Sequence, residues 1–319
     1  MSTSRTRQLA AGSVAIAVLM SCAILLARVR DGRYRLASFD EEMLYVRSPQ
    51  SAGRLALEFR ALAADMYWIR TLQYFGGIQR RHREQSAPAG TDTEAVSTTE
   101  YQHLYPLLNL ATSLDPYFNV AYRFGAIFLS EAPPAGPGRP ELAIRLLEKG
   151  LQARPDKWEY MQDIGFVHYW WSHDYHAAAA AFEKASRFPG APWWLRSLSA
   201  TTLAQGGDRR SSRMMWLSVR QTAENDWLRQ SADRALAQLD AMDQIDQLQA
   251  IVDRYRQQAG YPVSSWDTLI KAGLLRGVPF DPRGTPYELS VAGRVQVSAQ
   301  SSLFPLPKEP RGYAPPTGS

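Results

Sequence analysis

The sequence predicts a mainly α chain: an α-solenoid of antiparallel helix pairs with a small α+β segment at its carboxyl end. Three observations predict it. From Leu104 to Val219, small and large apolar residues recur at gaps of four and then three, as expected where one helix packs on the next. Breaker-rich stretches separate those runs, at Ala132–Pro140, Pro189-Gly190 and Gly206-Gly207. After Gly260 the period changes from helical to alternating, which marks off the carboxyl-terminal segment.

Composition narrows the function classes. A chain of 319 residues with 45% hydrophobic residues can bury a sizeable core, and 9 tryptophans and 15 tyrosines argue against wholesale disorder. The net charge of +5 is modest, and no dense basic block with interleaved aromatics occurs, so a nucleic-acid partner is not expected. Cys22 is the single cysteine, which excludes an intrachain disulfide and a multi-cysteine zinc site.

Leu9 to Ala27 carries no charge and is flanked by Arg5, Arg7, Arg28 and Arg30. At about 1.5 Å per residue it matches a roughly 30 Å hydrocarbon layer. We read it as an uncleaved signal anchor, since no clear small-residue cleavage site follows. Two alternatives stay open: Leu19-Met20-Ser21-Cys22 resembles a bacterial lipobox with Cys22 as lipid acceptor, and the run also fits a buried helix. The arginines after the run outweigh those before it, which opposes export by the positive-inside rule. A short basic tail ahead of a large domain favours it. The expectation is a single-pass protein of the bacterial inner membrane with its bulk in the periplasm.

Val29 to Gln50 reads as a linker. Ala52 to Glu84 reads as one broad apolar helix, the buried first member of the array, with Gly76-Gly77 as the point where it breaks or bends. Ser86 to Thr99 is a flexible insertion. Tyr101 to Leu114 resumes the helical pattern, and Asp115-Pro116 reads as the next helix start. Phe118–Leu129 then pairs with the run containing Ala143, Leu147 and Gly150; Trp158–Trp171 pairs with Tyr175–Phe188, with about one extra residue in the turn. Trp194–Ala204 and Arg210–Ala223 form a weaker pair, and helices near Asp226–Leu239 and Asp243–Gln258 cap the array.

The order Gly125, Ala143, Leu147, Gly150, Pro155, repeated as Gly165, Ala178, Phe182, Ala185, Pro189, resembles the tetratricopeptide (TPR) repeat. The resemblance covers roughly residues 52–240, with specific matches between Leu104 and Val219. It implies a concave groove lined by the first helix of each pair. Carried over on Gly125, the inward positions include Asn119, Tyr122 and Leu129. Alignment on Gly165 gives Glu159, Gln162, Phe166, Tyr169 and Trp170, and alignment on Ala200 gives Trp194 and Ser197. Aromatics beside amides and a carboxylate suit an extended peptide or a partner helix. Phe166, Tyr169 and Trp194 equally fit core positions between helices.

Past Gly260-Tyr261-Pro262, Ser265–Ala272 is a short helix, and Asp281-Pro282-Arg283-Gly284-Thr285-Pro286 leads into a β-hairpin around Ala292-Gly293. This order resembles the soluble part of type II secretion pseudopilins over Ile245–Ser298. The amino-terminal run lacks that family's cleavage glycine and early glutamate. From Ser301 the tail, rich in Pro and Ser, is expected to be disordered.

Chemistry is sparse. There is no phosphate loop, G-x-S-x-G elbow or H-E-x-x-H helix. His168, His173, Asp174 and His176 are the one cluster of metal-ligating types, and they straddle a helix turn, where Asp174 reads as a cap. Asp240 and Asp243 read as a solvated helix face. The expectation is a non-enzyme with no catalytic, cofactor or metal site. The expected units are an anchor at 1–28, a linker at 29–50, a TPR-like array at 51–242, a pseudopilin-like segment at 243–300 and a tail at 301–319. The function that follows is a membrane-anchored scaffold holding a protein partner at the cell envelope, in pilus, secretion or exporter assembly. The alternatives are a structural subunit contacting such an assembly through its carboxyl-terminal hairpin, and a metal-dependent enzyme.

Overall fold

The structure is a computed structural model that describes residues 19–26, 48–85, 98–260 and 263–309. It is mainly helical. Residues 19–26 form α1; then follow α2 (Pro49–Ala56), α3 (Arg60–Gln85), α4 (Leu104–Leu114), α5 (Asn119–Ser130), α6 (Pro140–Ala153) and α7 (Trp158–Val167). After these come α8 (Tyr175–Ala185), α9 (Trp194–Gln205), α10 (Arg209–Gln221), α11 (Asp226–Ala259) and α12 (Trp266–Lys271). The strands β1 (Glu288–Leu289) and β2 (Val295–Gln296) are antiparallel, with Leu289 opposite Val295. Among the described residues no helix is long and apolar enough to cross a membrane. Much of the anchor run Leu9–Ala27, the linker and the Ser86 insertion lie outside the described residues; in α1, Leu19, Met20, Cys22, Ile24, Leu25 and Leu26 are exposed.

From α3 to α11 each helix packs on the next, and α5 also touches α7 while α4 touches α6, so the helices form two layers. The small residues of the spacing pattern sit where those layers close. A Cβ on Gly165 would lie 2.4 Å from the Phe182 ring, and one on Gly125 would lie 2.6 Å from Leu108. Only glycine admits these approaches. The extra residue expected between α7 and α8 is absorbed as a π-helical turn at His168–Ser172, which His173 leaves at φ 52°. Asp174 then caps α8, accepting from the Ala177 N–H at 2.9 Å.

Several expectations need correction. The apolar run from Ala52 is two helices, not one: it breaks at Leu57 (φ 45°), where Ala52 turns into the core and α2 packs on α4. Gly76 and Gly77 do not interrupt α3. Nor is α3 wholly buried. It turns Ala64, Tyr67, Thr71, Tyr74 and Ile78 inward and leaves Leu62, Met66 and Ile69 exposed. Asp115 opens a turn rather than a helix: its carboxylate accepts from the Tyr117 N–H, and α5 begins only at Asn119.

The two capping helices expected after Asp226 are a single helix, α11, because nothing between Leu239 and Asp243 breaks it and Ala241 and Met242 are buried. At about 1.5 Å per residue it is roughly 50 Å long. Its first half shares a core with α9 and α10 through Trp216, Val219, Ala232 and Leu239. Its second half carries the carboxyl-terminal elements around Val252, Trp266, Leu269, Tyr287 and Leu303. Gly260, at φ 79°, ends the helix. Gln249 fixes the hairpin to α11, donating to the Gly293 carbonyl and accepting from the Val295 N–H.

Asp240 and Asp243 keep solvent contact, with side chains 49% and 43% exposed, but they are paired there. Arg213 bridges both, and Arg209 bridges Asp243, Asp246 and Glu309, pinning α10 to α11. The expected disorder from Ser301 does not hold for 301–309. Leu303 is fully buried, and Arg234 and Gln238 donate to the carbonyls of residues 302–305, since the segment fills an apolar notch against α11.

Candidate functional site

Between α5 and α7 lies a cleft of about 360 Å³, open on one side. Its walls are apolar. Val120, Phe124 and Ile127 line the α5 side, spaced four and three so that they share a face. Phe166, Trp170 and Trp171 line the other. Phe124 is 50% exposed and Trp170 is 59% exposed, so these large side chains are not consumed by the protein's own core.

One ion pair sits among them. The Arg123 guanidinium donates to both oxygens of Asp163, at 2.5 and 3.0 Å. Burial pushes the Asp163 carboxyl above its ordinary range, while the two Arg123 hydrogen bonds act in the opposite direction. The same hydrogen bonds hold the Arg123 proton more tightly, burial opposing them. The geometry is that of a paired, ionised carboxylate, because a bidentate guanidinium satisfies both oxygens. Beside the pair, the Asn119 side-chain oxygen is buried with no hydrogen-bond partner.

The ten residues expected to line a groove divide. Asn119, Phe166 and Trp170 lie in the cleft. Tyr122 and Leu129 do not: both are interior, Tyr122 against the Tyr160 ring at 5.3 Å, and neither can reach a partner. Tyr169 is half-buried, its hydroxyl donating to Gln205 at 2.7 Å and its ring edge-on to Tyr175. Trp194 packs edge-on to Trp158 at 6.4 Å. Glu159 pairs with Lys157, Gln162 is half-buried, and the Ser197 hydroxyl is buried without a partner.

Val120, Arg123, Phe124, Ile127, Asp163 and Trp171 were not among the expected residues. A signal for the pair was present. Arg123 stands two residues before Gly125, and Asp163 stands two residues before Gly165, the same offset in successive helix pairs. Elsewhere, His173 and His176 are exposed and the His168 Nδ1 is buried without a partner; among the described residues no group of three metal-ligating side chains converges. Compared with protein-family models, curated proteins and solved structures, the chain gives no match.

Proposed function

We propose that this chain is a membrane-anchored scaffold of TPR type that holds a partner protein in the α5–α7 cleft at the bacterial cell envelope. The observation that carries the reading is the cleft itself. Exposed aromatic and aliphatic side chains surround an internally satisfied ion pair, an arrangement suited to an apolar side chain of a partner. A helix or extended segment of a partner presents that chemistry. The two-layer packing with glycines at the repeat positions supports the TPR type, and the apolar run Leu9–Ala27 supports an anchor in the inner membrane with the body in the periplasm. The pseudopilin-like order at the carboxyl end makes a pilus, secretion or exporter assembly the proposed setting. The proposal includes no catalytic, cofactor or metal role.

A second reading has one observation in its favour. Val291, at the tip of the hairpin turn, is 90% exposed, and Phe280 nearby is 56% exposed. On that reading the hairpin is the contact. A photo-crosslinking residue placed in living cells at Ile127 or at Val291 separates the two. A discrete adduct from Ile127 and none from Val291 supports the cleft; the reverse pattern supports the hairpin.

A further inference from the structure

The outer edge of the hairpin is open at one residue. The Ser290 N–H donates to the Arg294 carbonyl at 2.9 Å, and the pairing alternates from there: Glu288 and Ser290 turn their backbone groups towards β2, while Tyr287 and Leu289 turn theirs away from it. Two bonds agree with this phase. The Tyr287 N–H donates outward to the Pro279 carbonyl at 3.0 Å, and the Val295 N–H, opposite Leu289, leaves the hairpin for Gln249. The Tyr287 carbonyl is also covered, accepting from the Trp266 indole at 2.8 Å. Leu289 is the next outward residue, and among the described residues its N–H and C=O have no partner.

Beside this edge lies a groove of about 610 Å³, with Trp266, Val278, Leu289 and Val291 in its walls. Its charge is one-sided. Asp267 and Glu288 are the charged residues that line it, both are exposed, and among the described residues neither is paired with a cation. Hydrogen bonds from the neutral Ser298 and Gln296 side chains hold the Glu288 carboxyl below its ordinary range, so it stays ionised. Arg294, across the hairpin turn, is not one of the walls.

We propose that the outer edge of β1 takes an extended, basic segment of a partner protein as an added strand. The unpaired N–H and C=O of Leu289 are matched by the same two groups of a strand laid alongside, whereas a helix spends those groups on itself. The walls call for two kinds of side chain, aliphatic against Val278 and Val291 and cationic beside Asp267 and Glu288. A second copy of this chain fits less well, because pairing two hairpins across Leu289 sets one acidic edge against another. The proposal rests on the hairpin as a contact. It is independent of the α5–α7 cleft, which involves none of these residues.

The test is amide hydrogen exchange at Leu289, read by NMR on the full chain in detergent with nitrogen-labelled leucine and tryptophan. The probe is a peptide of alternating Val and Lys; its controls are the same peptide with Glu for Lys and a backbone N-methylated version. The Trp266 indole N–H reports that the hairpin stays folded. The expected result is fast exchange at Leu289 in the free chain, slowed by the Lys peptide and by neither control. An Asp267→Lys, Glu288→Lys double variant should reverse the preference, so that the Glu peptide protects and the Lys peptide does not. Both side chains are exposed, so the fold tolerates the change. Continued fast exchange with the Lys peptide overturns the proposal; if Val291 still yields its adduct in cells, the hairpin remains a contact by some other means. Protection by both peptides alike overturns the basic partner. Slow exchange before any peptide is added also overturns it, the edge being paired already: by a second copy if protection falls on dilution, by the chain itself if it does not.

Discussion

Arg123 and Asp163 stand at the same position in successive helix pairs, and the guanidinium of one reaches both carboxylate oxygens of the other across the α5–α7 cleft. The two ends are unequally buried: the side chains are 38% and 15% exposed. Truncating Arg123 strands a charge that water reaches poorly, whereas truncating Asp163 frees an arginine that can turn to solvent. Arg123→Met should therefore cost about 1–3 kcal/mol in urea unfolding, and Asp163→Ala less. Equal losses, or the opposite order, would show that burial does not govern the pair.

The glycines of the chain are predicted to respond with opposite signs. Gly165→Ala puts a methyl group 2.4 Å from the Phe182 ring, and the overpacking should cost about 1–3 kcal/mol. Gly76→Ala and Gly77→Ala meet open space inside α3 and should each gain up to about 1 kcal/mol from helix propensity. Thermal melts of the three variants check this directly.

Alkaline pH should act in two stages. Burial lowers the Lys149 ammonium to about 8, although its Nζ donates to the Asn109 carbonyl, the Asn109 side chain, Thr112 and Ser113 and so ties α6 to α4. In the unfolded chain this lysine keeps its proton to about 10.4, so between the two values the unfolded state binds more protons and stability rises with pH. Burial raises Tyr101, Tyr122, Tyr160 and Tyr287 to about 12, with Glu100 adding to the effect at Tyr101. Their contribution is complete below about pH 10 and is lost as pH rises towards 12. Tyrosinate absorbance should show these four ionising late and together with unfolding. Lys149→Met should remove the rising limb and leave the falling one.

The segment 301–309 belongs to the folded body. Leu303 has no exposed surface, and Glu309 accepts two hydrogen bonds from Arg209 at 2.6 and 2.7 Å. Leu303→Ala should cost about 2–4 kcal/mol by denaturant unfolding, in the usual range for a buried leucine. A change near zero would return this segment to the status of a loose tail.

That tail shows where the sequence stopped being legible. A run rich in Pro and Ser has no helical or alternating period, so nothing local marks Leu303 as buried; its notch is made by α11, some sixty residues earlier. The helix pairs were readable because each small residue announces a close approach that recurs at fixed spacing, and Gly125 and Gly165 make those approaches. The cleft was half-readable. Trp170 and Phe166 follow from their offset to Gly165, but whether an inward-pointing ring is core or wall depends on how far neighbouring helices splay, which is why Tyr122 and Leu129 fell inside. The continuity of α11 was hidden for a simpler reason: the charged residues from Asp240 to Asp246 mask Ala241 and Met242, whose burial shows only in the assembled fold.

The most direct test of the cleft as a partner site is a pull-down from detergent-solubilised membranes with the intact chain and a Phe124→Ser, Trp170→Ala double variant. Tyr169 is left intact because its hydroxyl and ring hold the π-helical turn at His168–Ser172 to α9 and α8, while Phe124 and Trp170 are at least half exposed and can be cut back with the fold preserved. Thermal melts of both proteins confirm that it is. The account predicts a protein that co-purifies with the intact chain and is lost from the folded double variant. Retention of the same protein by that variant, at the same yield, would contradict it.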